Sequence, residues 1–247
     1  MIHLLALREL RSLFTMPSTW FILAALQFIF AWFFLNSLQA FLDIQPQLAQ
    51  LANAPGVTTI IGAPLFNMVA LLLMMLVPMF TMRLIAEERR NQTLSLLLSS
   101  PLSIRQIILG KFFGLMIFLS VMVASIPLMI YSLAVGTHLD SGLLLSNLLG
   151  LLLLIASYVA LGLYISTLTT QPIIAAIGAL AVLVGLWLAD IAATAENSPW
   201  HLISPLHHFQ SFSTGLLDSG DAVFFLLFTS VFLLLAMKRL SNNRIYG

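Results

Sequence analysis

The residues that could do chemistry are few, and they gather in two places. The first is Arg83 to Lys111, which reads R-L-I-A-E-E-R-R-N-Q-T-L-S-L-L-L-S-S-P-L-S-I-R-Q-I-I-L-G-K. Arg83, Glu87, Glu88, Arg89, Arg90, Arg105 and Lys111 make it the most charged stretch of the chain. Arg83 and Glu87 are an i,i+4 pair of opposite sign, worth only about a few tenths of a kcal/mol. Thr93 then opens a run in which Leu94, Leu97 and Leu98 share one helical face at i, i+3, i+4. Pro101 stops that helix, and Ser103 is placed to cap the next one. A short surface helix with one apolar side between charged flanks suits the docking of a soluble partner. Charges that merely flank a membrane, with the leucines resting on lipid, explain the same pattern equally well. The second place holds His201, His207 and His208. An outer metal site or pH sensor would need converging side chains. Adjacent residues on a helix point about 100° apart, so an ordinary interface loop is the stronger reading and no metal is expected.

Other chemistries lack their residues. No G-x-x-x-x-G-K-[ST] phosphate loop occurs, and Gly110-Lys111 lacks both the earlier glycine and the following Ser/Thr. The chain therefore has no usual backbone cradle for ATP. The absence of cysteine removes disulfides, thiolate metal sites and a cysteine nucleophile. There is no G-x-S-G or H-E-x-x-H, and Asp190 has no second aspartate within a span, which disfavours intramembrane proteolysis. The chain is not expected to be an enzyme, to need a cofactor or to bind nucleic acid.

The elements that position these residues follow from composition. Of 247 residues, 60% are hydrophobic and only 8% are charged, and mean hydropathy is +1.05. A soluble domain would carry about a quarter charged residues, so a membrane protein is the class that fits. Its apolar runs are about 20 residues long, enough to cross a hydrocarbon core of about 30 Å. Six are evident: Ser18 to Phe41, Pro64 to Ile85, Ile107 to Ala134, Leu143 to Leu168, Pro172 to Ile191 and Val223 to Met237. Their unbroken hydrophobicity means helices, since barrel strands alternate apolar and polar residues. Pro78 and Pro127, inside the second and third runs, predict kinks. The first run, with no small-residue cleavage site near its end, reads as a retained span and not a signal peptide.

All ten basic residues fall at three places. Arg8 and Arg11 precede the first span; Arg83 to Lys111 separates the second and third; Lys238, Arg239 and Arg244 follow the sixth. The positive-inside rule puts both termini and the charged loop in the cytoplasm. Asp43, Asp140, Asp190, Glu196, Asp218 and Asp221 fall at the outer connections, while Glu9, Glu87 and Glu88 lie inside. The turn Thr169 to Pro172 carries no charge and is the least constrained part of this topology. Asp43 to Gly62 reads as a short outer loop with one helical turn. Residues 192–221, which mix Trp200, Phe209 and Phe212 with His, Ser and Gly, suit an outer interfacial segment or one dipping partway in. Gly110-x-x-x-Gly114 is a small-residue packing pattern that lends slight support to a dimer contact. The aromatic face of the first span, from Trp20 to Phe34, is expected to meet lipid or pack.

Several of these residues carry a resemblance. Glu87, Glu88, Arg89, Thr93, Leu94, Leu97, Leu98, Pro101, Gly110 and Lys111 resemble, in type and order, the coupling segment of ABC-2-type transporter permeases. Arg8, Glu9, Leu10 and Arg11, with Phe14 and Pro17, are similar to that family's amphipathic elbow helix. Ser204-Pro205-Leu206-His207-His208-Phe209, with Gly215, Leu217 and Asp218, is similar to the last outer loop of the gliding-motility permease subgroup. Gln92 and Ser95 depart from the pattern, since the family usually has Gly-Thr-Leu-Glu there.

The resemblance implies an all-α polytopic permease of the type V exporter class, one transmembrane domain over residues 1–247. Within it, residues 1–17 would be the elbow, 86–106 the coupling segment with Arg90 among its contacts, and 192–221 the outer or re-entrant segment. It implies two copies of a separate ABC ATPase subunit, a second permease chain, a location in the cytoplasmic (inner) membrane and outward movement of a lipid, drug-like molecule or glycan. Some members instead couple ATP hydrolysis to an extracytoplasmic protein. A membrane scaffold that transports nothing, and an ATP-independent secondary transporter, are the alternatives. The second loses ground because ionisable residues inside the spans are nearly absent.

Overall fold

A computed structural model describes residues 2–48, 56–94, 102–135, 139–193, 200–216 and 218–246. Eight helical elements follow in order. Helix α1 is Ile2–Thr15 and α2 is Pro17–Leu48. Helix α3 is Thr58–Arg90, α4 is Ile104–Tyr131, α5 is Ser141–Leu168 and α6 is Pro172–Ala192. A short helix α7, Pro205–Ser213, precedes α8, Ser219–Tyr246. All but α1 and α7 are long and apolar enough to cross a membrane, which gives the six spans expected. Several overrun their apolar stretches: α2 continues past Asp43, and α3 starts before Pro64 and runs on to Arg90. Backbone hydrogen bonds within a helix do not stop where the hydrocarbon does, so polar residues can extend it into the headgroup layer.

Helix α5 is the centre of the bundle. Leu151, Leu154, Ile155, Tyr158, Val159, Leu161 and Leu163 are all buried, and α3, α4 and α8 pack around them. Being apolar all round is what a helix enclosed by others requires. Small residues set the distances. A Cβ on Gly162 of α5 would sit 2.3 Å from Thr81 Oγ1 of α3, and one on Gly150 would sit 2.5 Å from Phe212 Cβ of α7. Helix α2 is by contrast largely bare: Trp20, Phe21, Phe28 and Trp32 are exposed, while Phe30 and Phe34 turn inward. An apolar side chain in lipid needs no protein partner, so exposure there carries no penalty.

The two internal prolines behave differently. Helix α4 breaks at Ala124, three residues before Pro127, as a ring that lacks an N–H and crowds the preceding turn would cause. The Met122 carbonyl at that break accepts from Ser125 Oγ at 3.0 Å and from Gln27 Nε2 of α2 at 3.0 Å. Helix α3 passes Pro78 without a break and is instead widened toward both ends into π-helical turns, Thr58–Gly62 and Arg83–Glu87.

Candidate functional site

The charged groups separate to the two ends of the bundle. At one end, α1 lies across the start of α4. A Cβ on Gly110 would meet Leu5 Cβ at 2.6 Å, and one on Gly114 would meet Glu9 Cβ at 2.8 Å. The glycine pair is thus used inside the chain to seat α1 on α4, and the slight support it lent to a dimer contact falls away. On its other side α1 exposes Leu4 and Leu7 beside Arg8 and Arg11, as a helix lying in a membrane interface does.

That close seating brings Glu9 to Lys111. Lys111 is only 6% exposed. It lies 2.8 Å from Glu88 Oε1, at the end of α3, and 3.4 Å from Glu9 Oε2 on α1. One cation therefore clasps three elements: helix α1, the end of α3 and the start of α4. An ion pair shielded from water on most sides is screened far less than a surface pair. Glu88 Oε2 and Arg89 Nη2 next to it are buried without a hydrogen-bond partner among the described residues. The Arg83–Glu87 pair does not form; Arg83 Nη1 instead lies 3.2 Å from Met16 Sδ, at the junction of α1 and α2.

The stem itself is held by Ser166 of α5. In the π turn Arg83–Glu87 the α-helical ladder is interrupted, and its groups need other partners. Ser166 Oγ donates to the Met82 carbonyl at 3.2 Å and accepts from Ile85 N at 3.2 Å and Ala86 N at 3.0 Å. A single hydroxyl thereby fixes the register of Glu87, Glu88 and Arg89, all half-buried. Past them Arg90 and Thr93 are exposed, Thr93 Oγ1 donates to the Glu88 carbonyl at 3.3 Å, and Leu94 is buried. Leu97, Leu98 and Pro101 lie outside the described residues. At the start of α4 the expected cap is present: Ser103 Oγ accepts from Gln106 N and Gln106 Oε1 accepts from Ser103 N, a capping box. Thr170 and Gln171 of the uncharged turn, with Pro172 and Ile173, form one wall of a cleft of about 580 Å³ whose other wall is Arg89, Arg90 and Gln92. The turn thus sits at the same end of the bundle as Arg89 and Arg90.

A family model described as ABC-2 family transporter protein matches residues 4–243. The chain belongs to the ABC-2 transporter family. No curated protein matches it. Membership makes this six-span chain a membrane permease subunit of an ABC transporter, a family whose ATPase is a separate partner and whose arrangement is generally dimeric.

The departure at Gln92 of this ABC-2 permease has a local consequence. Gln92 has φ +57°, the left-handed region that favours glycine. The turn is thus kept although the residue best suited to it is absent. Gln92→Gly is expected to fold and assemble like the parent. Gln92→Val, β-branched at the same φ, is expected to lose about 1–2 kcal/mol. Thermal unfolding in detergent checks both; equal midpoints for the two variants would show that the turn carries no strain.

At the outer end of the permease, α7 is capped by Ser204 and begins at Pro205. Its Phe209 and Phe212 are buried, the latter against Gly150 of α5. The carbonyl of Phe212 also accepts from Ser146 Oγ at 2.9 Å. The segment dips into the bundle, one of the two arrangements its composition allowed. His208 stacks on Phe224 of α8 with centroids 3.9 Å apart, and its Nδ1 lies 2.5 Å from Asp221 Oδ1. His201 and His207 turn to Asp190 of α6 instead, with Nδ1 atoms 2.6 and 3.3 Å from its Oδ1. The adjacent histidines do diverge, as their spacing dictates. The convergence of His201 with His207 was not visible in that spacing.

Proposed function

We propose that this permease subunit forms half of an outward-moving exporter of the cytoplasmic (inner) membrane, paired with a second permease chain and driven by two ABC ATPase copies. The ATPases dock on the Glu87 to Pro101 segment, with Arg89, Arg90, Thr93, Leu94 and Leu97 among its contacts. The elbow around Arg8, Glu9 and Arg11 moves with it. The observation that carries this reading is the Lys111 clasp, because it makes the elbow, the loop stem and the third span one mechanical unit. A push on the loop then reaches the spans without slack. Glu88 Oε2 and Arg89 Nη2 support the same reading: buried polar atoms ordinarily find partners, and a docked surface can offer them. Similarity of the 204–218 stretch to the gliding-motility subgroup further suggests that the outer segment, with Pro205, His207, His208 and Phe209, meets an extracytoplasmic protein.

The test is co-purification with the cognate ABC ATPase in proteoliposomes. The ATPase is expected to bind and its hydrolysis to respond to the permease. Glu87→Ala together with Glu88→Ala is expected to abolish that response while membrane insertion stays normal. Transport that persists after ATP depletion, or an unchanged response in the double variant, would overturn the assignment.

A further inference from the structure

The outer cluster is left unused by the coupling face, and its electrostatics are unusual. Asp190 ends a transmembrane helix with its side chain only 9% exposed. Among the described residues no lysine or arginine pairs with this carboxylate. A carboxylate shielded from water needs a positive partner, and here the candidates are an imidazolium or a bound cation. Two imidazoles approach the same oxygen: His201 Nδ1 at 2.6 Å and His207 Nδ1 at 3.3 Å. The three potential donor atoms all lie within 4.8 Å of one another. The two rings stack with centroids 4.7 Å apart, so both nitrogens arrive from one side. His208 is excluded from the set, because its Nδ1 is taken by Asp221 and its Nε2 lies 3.3 Å from the Leu202 carbonyl.

We propose that Asp190, His201 and His207 form a binding site for a divalent transition-metal ion of the zinc class, taken from the outer solution. Two imidazole nitrogens and a carboxylate oxygen are a borderline donor set that suits zinc and discriminates against magnesium and calcium, which prefer oxygen. Three protein ligands leave a fourth position open. His207, 42% exposed at its side chain, puts that position at the aqueous edge. Binding places each Nδ1 lone pair on the metal and moves the imidazole proton to Nε2. Ligands about 2.0–2.2 Å from zinc stand about 3.3 Å apart; the His207–Asp190 separation of 3.3 Å already matches this, and the 2.6 Å between His201 and Asp190 must open by about 0.7 Å. The bound ion ties the turn at His201 and helix α7 to the outer end of α6. Protons compete for the same nitrogens, so affinity falls as pH falls.

The test uses the full chain in detergent, purified through a tag without histidine, stripped with chelator and titrated with zinc chloride. One zinc per chain is expected, with a Kd in the micromolar range or tighter. Asp190→Asn and His207→Gln are each expected to weaken binding at least about tenfold, while Asp43→Asn does not. A second measurement needs no variant: zinc, but not magnesium, slows hydrogen exchange over residues 200–213 of the parent. Zinc uptake by the parent no greater than by the Asp190→Asn, His201→Gln, His207→Gln triple variant, with exchange unaltered, would overturn the site and leave a hydrogen-bonded latch. Neither readout involves the ATPase, so failure here leaves the exporter reading untouched.

Discussion

Lys111→Met is expected to uncouple the permease from its ATPase while leaving it inserted in the membrane. Lys111 is the common partner of Glu9 and Glu88, and its removal leaves two facing carboxylates with no cation between them. Both keep some access to water, so the loss is less than for a fully buried pair, about 1–3 kcal/mol. That energy holds α1 and the end of α3 to α4. With coupling free energies of this kind typically 1–3 kcal/mol, the response of ATP hydrolysis to the permease is expected to drop at least about tenfold. Lys111→Arg, which keeps the charge, is expected to retain much of it. Glu88→Gln is expected to cost more than Glu9→Gln, since the contacts are 2.8 and 3.4 Å. ATPase assays on the reconstituted complex decide it. A Lys111→Met complex that responds like the parent would show the clasp to be irrelevant to force transfer.

Gly162→Ala is expected to be the most damaging single methyl group in the bundle. The new Cβ would lie 2.3 Å from Thr81 Oγ1, 2.8 Å from Thr81 Cβ and 2.9 Å from Thr81 Cγ2. Threonine is too short to swing away, and Thr81 is fully buried, so α3 and α5 must part. Overpacking of this kind costs about 1–3 kcal/mol. The separation also strains the bonds of Ser166, one turn further along α5, to the stem of the charged loop. Adding Thr81→Ala removes two of the three clashing atoms and is expected to restore part of the loss. Unfolding midpoints of the two single variants and the double one, compared as a cycle, test this; simple additivity would mean the two helices do not meet as described.

What the sequence revealed and what it hid divide along physical lines. Hydrophobic run length is a one-dimensional property, so the six spans were readable at once. The Ser103 cap was equally readable, since its partner Gln106 is three residues away. Lys111 was visible as a lysine at the edge of an apolar run. Its role was not, because Glu9 and Glu88 stand 102 and 23 residues distant. Gly110 and Gly114 announced a close helix contact without saying that α1 would make it. For the histidines the helical-angle rule covered only the adjacent pair. His201 precedes α7 and turns toward it from a loop, where no period applies. Ser166 gave no signal, since a serine in an apolar helix is ordinary until the π turn it serves is seen.

Helix α6 begins at Pro172, which lines the cleft beside Arg89 and Arg90, and ends two residues past Asp190. Its 21 residues contain no interior proline and no break, and they measure about 31 Å at 1.5 Å per residue. Such a rod is stiff along its axis. Whatever displaces its inner tip shifts Asp190 by nearly the same distance, and with it the two imidazoles at the outer surface. A displacement of Pro172 is therefore expected to be felt at the opposite end of the bundle, where His201 and His207 contact Asp190.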